Sequence, residues 1–130
     1  MSDLVGRVSS AGERVETMTL VCELDRIDPD SGVAALVDGE AVAVFRTYDD
    51  QVFALSHYDP FGRANVLARG IVGTRGDVPV VASPLHKQAF DLRTGQCLDD
   101  PTVRVASYDV VVREGLVLVG GRRPPSPVTS

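Results

Sequence analysis

The sequence predicts an all-β fold, a small antiparallel barrel or sandwich. Three observations carry this reading. Short runs rich in valine and other strand-forming residues recur between residues 17 and 120, and clusters of Gly, Asp and Ser separate them. No amphipathic helical period extends beyond a turn or two, and no internal repeat is present.

Taken in order, "MTLVCEL" reads as the first strand. "GVAALVDGEAVAVFR" supplies two strands about Asp38-Gly39, a two-residue hairpin turn whose positive φ angles suit those residues. "TYDDQVFALS" adds a further hairpin across Asp49-Asp50. An irregular stretch follows over residues 56–79, "SHYDPFGRANVLARGIVGTRGDVP". Loops of that length in a compact domain are functional or disordered, and the apolar Val66, Leu67, Ile71 and Val72 read as buried anchors of an ordered one. The runs "PVVAS", "QAFDLRTGQCL" and "TVRVASYDVVVREGLVLVG" complete the pattern, with turns at Arg93-Thr94-Gly95-Gln96 and Arg113-Glu114-Gly115. In all, about nine or ten short strands are expected.

The 130 residues fit one domain with a real core, expected over residues 17–120. Residues 1–16 and 121–130 are polar, aperiodic or proline-rich and read as disordered tails. A net charge of −5 argues against nucleic acid or anionic lipid as a partner. No run approaches the roughly 20 apolar residues of a membrane span, and the N-terminus lacks a signal-peptide pattern, so a cytoplasmic setting is expected. Cys22 and Cys97 do not form a disulfide framework, and Cys22 within "TLVCEL" reads as a small core residue. Lys87 is the only lysine.

The residues offer three candidate chemistries. A triad on Ser56 or Ser83 lacks the Gly-x-Ser-x-Gly elbow that exposes a nucleophile. His57, Asp59 and His86 are the residue types of a two-histidine, one-carboxylate metal site, although the chain has only these two histidines. The competing structural reading leaves His57 exposed at a strand end and His86 hydrogen-bonded within a loop. The pairs Asp49-Asp50 and Asp99-Asp100 lack the spaced oxygen ligands of a calcium loop and read as solvated turn residues.

Taken together, "VFALSHYDPFGRANVL" and "VVASPLHKQAFDLRTGQCLDDP" resemble the two ligand loops of Rieske ferredoxin domains, Cys-Pro-His and then Cys-Pro-x-His. The matching positions here are Asp59, Phe61, Ser83 and His86, so one ligand of four is kept. A Rieske cluster takes two thiolates on one iron and two imidazoles on the other. On these residues no metal is expected in the chain.

With "DPF", "RGIVGTRG" and "SPLHKQAFDLRTGQCLDDP", the sequence is similar to the small-subunit (NirD) family of cytoplasmic NADH-dependent nitrite reductases. His57-Tyr58 and Gly62-Arg63 depart from that family's usual first loop. The resemblance implies a Rieske-like (ISP-type) antiparallel β-sandwich with two ligand-type loops at one end. It also implies an accessory chain without catalytic residues or cofactor of its own, which docks on and supports a large catalytic subunit. That subunit would hold FAD, an iron-sulfur cluster and sirohaem and reduce nitrite to ammonium in nitrate assimilation.

The loop end is the expected partner surface, with Phe61, Arg63, Arg69, Arg75, Leu85, His86 and Lys87 offering aromatic, apolar and cationic contacts. His86, freed of iron, is expected to tie the loops together by a hydrogen bond to Asp59. The alternative function is a free-standing Rieske-like interaction module with no redox role.

Overall fold

The computed structural model describes residues 7–8 and 16–124. In chain order the strands are β1 (Arg7–Val8), β2 (Glu16–Thr17), β3 (Thr19–Glu23), β4 (Ser31–Val37), β5 (Glu40–Arg46), β6 (Val52–Ser56), β7 (Tyr58–Asp59), β8 (Ala64–Asn65), β9 (Ile71–Arg75), β10 (Val78–Ala82), β11 (Ala89–Asp91), β12 (Ser107–Arg113) and β13 (Leu116–Arg122). Two single 3-10 turns, Leu24–Arg26 and Leu67–Arg69, are the only helical pieces among the described residues. No helix among them is long and apolar enough to cross a membrane.

The strand count exceeds the expected one because the irregular stretch itself contains β7, β8 and β9. Within the segment expected as an N-terminal tail, Arg7–Val8 pairs with Glu16–Thr17, and the rest of residues 1–15 lies outside the described residues. β13 runs to Arg122, past the expected boundary at residue 120, while residues 125–130 lie outside the described ones.

Antiparallel pairing links the strands into a six-stranded sheet of order β3-β13-β12-β6-β5-β4 and a three-stranded sheet of order β11-β10-β9. β7 and β8 form a separate small ribbon. The tightest turns fall where the dipeptides predict them. Asp38 and Gly39 sit at φ 52 and 80 between the paired Val37 and Glu40, the doubly positive geometry of a two-residue hairpin. Glu114 and Gly115 repeat it between Arg113 and Leu116.

β5 is the wall between two cores. Its Val42 and Val44 join Ile27, Val37, Ala54, Tyr108, Val117 and Val119, and residues from both edge strands, Cys22 of β3 and Val33 of β4, pack against this cluster. The six-stranded sheet therefore wraps around it. Ala43 and Phe45 face the other way, onto Leu55, Leu67, Val81, Phe90, Leu92 and Cys97. Because all four of these β5 residues are fully buried, the strand reads as a continuous apolar run and not as an alternation. Each large side chain so buried contributes about 1.5–3 kcal/mol.

A polar clamp closes one rim of the first core: the Tyr108 hydroxyl donates to Glu40 at 2.6 Å and Arg122 Nε donates to the same oxygen at 3.0 Å. Burial first, then the bond to Glu40, pushes the Tyr108 phenol up to about 12.

Candidate functional site

The second core carries the two loops. The first leaves β6 at His57, whose backbone N–H donates to Ala41 at 3.0 Å while its carbonyl accepts from Leu67 at 3.0 Å. The imidazole adds a third tie: Nδ1 accepts from the Ala68 N–H at 3.1 Å, which leaves any proton of the neutral ring on Nε2. His57 is thus half-buried and structural, not exposed at a strand end as expected. Burial, and then the charge of Arg69, lowers its pKa from the ordinary value. From His57 the chain runs through β7, turns over "PFGR" and returns in β8.

The second loop leaves β10 at Ala82 and re-enters at β11. Its mouth is closed by the Ser83 N–H donating to Gln88 at 2.9 Å and the Lys87 N–H donating to Ser83 at 3.0 Å.

The loops meet at Asp59 and Ser83, 0% and 1% exposed. The Ser83 hydroxyl donates to Asp59 Oδ2, and the Phe61 N–H donates to Oδ1 of the same carboxylate at 2.9 Å. The Leu85 N–H donates to Ser83 Oγ at 3.1 Å. The two positions that match thiolate ligands are therefore joined to one another, and each side chain also holds its own loop.

Phe61, at an imidazole position, packs its ring on the fully buried Phe90, with centroids 6.2 Å apart at 49°. Gly62 lets the loops approach closely: a Cβ there would push the Leu85 side chain aside and lie 3.1 Å from Asp59 Oδ2.

His86 does not join this junction. The expected bond to Asp59 is corrected, because Asp59 is taken by Ser83 and Phe61 while His86 is exposed in the turn after Pro84.

A two-iron cluster does not fit these residues. It requires two thiolates and two imidazoles, whereas this junction supplies a carboxylate and a hydroxyl bonded to each other, a phenyl ring and one outward imidazole. Neither cysteine lies at the junction. Cys97 is buried in the second core opposite Phe90, and Cys22 lies on β3 opposite Val117, its thiol pKa pushed up by burial. The histidine–carboxylate metal set fares no better, with His57 Nδ1 and both Asp59 oxygens already engaged.

Asp49, Asp50 and Asp100 serve their own turns, whereas Asp99, expected as a solvated turn residue, ties distant segments together. Asp49 accepts from Thr47 and Gln51, Asp50 pairs with Arg46, and Asp100 accepts from Thr102. Asp99 pairs with Arg75 at 3.0 Å and accepts from the Ala89 N–H at 2.8 Å, and these bonds, that to Arg75 first, lower its pKa.

Of the cations expected on the partner surface, Arg75 leaves the tip of the β9–β10 hairpin and its guanidinium is held by Asp99. Arg63, Arg69 and Lys87 are exposed and form no ion pair with the described residues. Leu85 is 47% exposed beside them.

Two apolar residues join this surface unforeseen. Tyr58 is 44% exposed in β7, and Ile71, expected to be buried, is 67% exposed opposite Ala82 at the foot of the second loop. Strand parity carries the signal for Ile71: with Val72 buried against the core, its neighbour points the other way.

Comparison with known proteins places the fold in a family. The family described as a Rieske-like [2Fe-2S] domain matches residues 17–120. A nitrite reductase (NADH) small subunit from Salmonella typhimurium (strain LT2) is 47% identical over 102 residues, covering 78% of this chain and 94% of the relative. The solution structure of the E. coli protein NirD superposes with a TM-score of 0.76 at 42% identity, covering 82% of this chain and 97% of that one. A nitrite reductase [NAD(P)H] large subunit from Klebsiella oxytoca is 40% identical over 103 residues, which make up 79% of this chain and only 11% of that protein. The family match and these relatives show that the chain belongs to the small-subunit family of NADH-dependent nitrite reductases, within the Rieske-like domains.

Proposed function

We propose that this chain is the accessory small subunit of an NAD(P)H-dependent nitrite reductase, carries no cluster of its own and docks by its loop end on the large catalytic subunit. In this reading it supports the reduction of nitrite to ammonium in cytoplasmic nitrate assimilation. FAD, iron-sulfur and sirohaem chemistry belongs to the large subunit, and electrons bypass this chain.

The observation that carries the reading is the Klebsiella oxytoca relative. There a stretch 40% identical to this chain forms 11% of a large subunit, so in that protein a module of this kind is covalently joined to the rest of the large-subunit chain. The Asp59–Ser83 junction supports the non-redox part, since it fills thiolate positions with groups bonded to each other.

The docking face comprises Arg63, Arg69, Leu85, His86 and Lys87, with Phe61 and Arg75 at its margins and Tyr58 and Ile71 as additional apolar contacts. Arginine and aromatic residues of this kind dominate interface energetics.

Co-expression with the large subunit tests the reading. The two chains should co-elute on size exclusion, nitrite-dependent NAD(P)H oxidation should fall when this chain is omitted, and the isolated chain should contain no stoichiometric iron or acid-labile sulfide. Separate elution would sink the docking claim, and stoichiometric iron and sulfide would sink the non-redox claim.

A further inference from the structure

The two loops are built to one five-residue plan, "DPFGR" and "SPLHK". In each, the first side chain is buried and accepts from the backbone N–H two residues on, at 2.9 and 3.1 Å. In each, the first carbonyl accepts from the N–H of the fifth residue, at 2.7 and 3.0 Å. The fifth residue is left-handed in both, Arg63 at φ 58 and Lys87 at φ 67.

Glycine takes that conformation without penalty, Asn and Asp take it readily, and long side chains take it at a cost. The other four left-handed non-glycine residues described are acids, Asp30, Asp38, Asp50 and Glu114. Only the two loop corners hold cations, in a chain of net charge −5 whose sole lysine is one of them. Neither cation forms an ion pair with the described residues, and the contact of Gly62 with Leu85 brings the two corners to one seam. Backbone cost accepted twice at equivalent corners, for exposed side chains that form no ion pair among the described residues, points to a use outside the fold.

We infer that Arg63 and Lys87 are paired electrostatic prongs that engage a carboxylate-bearing surface of the large subunit. The inference rests on the docking reading above and names the chemistry of its partner. The prongs sit on the exposed lip of the junction, so they act chiefly on the rate of encounter and on its salt dependence.

The test compares wild type with Arg63→Gly/Lys87→Gly, Arg63→Asn/Lys87→Asn and the charge-preserving Arg63→Lys in binding to the large subunit across ionic strength. Both neutral double variants should associate about tenfold more slowly at low salt, with the difference vanishing near about 0.5 M. Their melting temperatures should stay level or rise, because glycine and asparagine suit the left-handed corner. Arg63→Lys should bind like wild type. Amine-reactive labelling at Lys87, resolved by peptide mass from the N-terminal amine, should be suppressed in the wild-type complex.

Wild-type kinetics in the neutral variants, or full labelling of Lys87 in the complex, would overturn the inference while leaving the docking reading in place. A fall in melting temperature matching the loss of binding would also overturn it, by making the cations structural. Failure of the wild-type chain to bind at all would instead remove the docking reading.

Discussion

In the first loop Phe61 turns inward onto Phe90, whereas at the equivalent place in the second loop Leu85 stands half in solvent and His86 follows it outward, although both loops start from a buried side chain and close with the same main-chain bond. A shared backbone plan thus serves two ends. The first loop is the foundation, its aromatic ring part of the core; the second rests on it through Ser83 and presents its tip. Positions that match one family's ligand set need not share a fate, because each side chain goes to whichever neighbour it can reach.

The largest effect expected from breaking this arrangement is at Asp59. Asp59→Ala leaves the Ser83 hydroxyl and the Phe61 N–H without their acceptor in a fully buried place and should cost about 3 kcal/mol. Ser83→Ala removes one donor and one acceptor and should cost about half as much, which urea titration of the isolated chain would resolve. Equal losses would mean that the loops are equal partners and not foundation and tip.

A smaller effect is expected at the seam. Gly62→Ala forces Leu85 aside and should cost about 1–2 kcal/mol. Leu85→Ala, half exposed, should cost less alone and should relieve Gly62→Ala in the double variant. Simple additivity in that cycle would show that the loops do not press on each other there.

The smallest effect concerns pH and only the first loop. The pKa of His57 is lowered in the folded state, so the folded chain binds that proton less readily than the unfolded one. Its contribution is whole above about pH 6.5 and is lost as pH falls through the lowered folded value. Thermal melts between about pH 5 and 8 should show this decline in wild type. His57→Asn, which keeps an acceptor for Ala68 but does not titrate, should remove that part of it. An identical pH profile in the variant would refute the assignment.

Much of the scaffold was legible in advance. Asp38-Gly39 and Glu114-Gly115 gave their turns away because a doubly positive φ pair restricts the dipeptide, and the run through Ala43 and Phe45 marked a strand because apolar side chains must be buried. The matching positions Asp59, Phe61, Ser83 and His86 were also identifiable from the loop strings. Their partners were not. His57 was misplaced because nothing local announces that the Ala68 N–H will need an acceptor, and Ile71 was misplaced because its hydrophobicity was weighed without its strand parity.

Residue order alone therefore determined most of the longer strands, their tight turns, the absence of thiolates at the loop positions and the charge of the loop tips, since these depend on neighbours a few bonds apart, whereas β7, β8 and β9 were not legible in the irregular stretch. Only the tertiary structure decided that Asp59 would choose Ser83 over His86. That choice joins residues 24 apart in sequence, and it depends on how two separately formed hairpins dock, which local preferences do not encode.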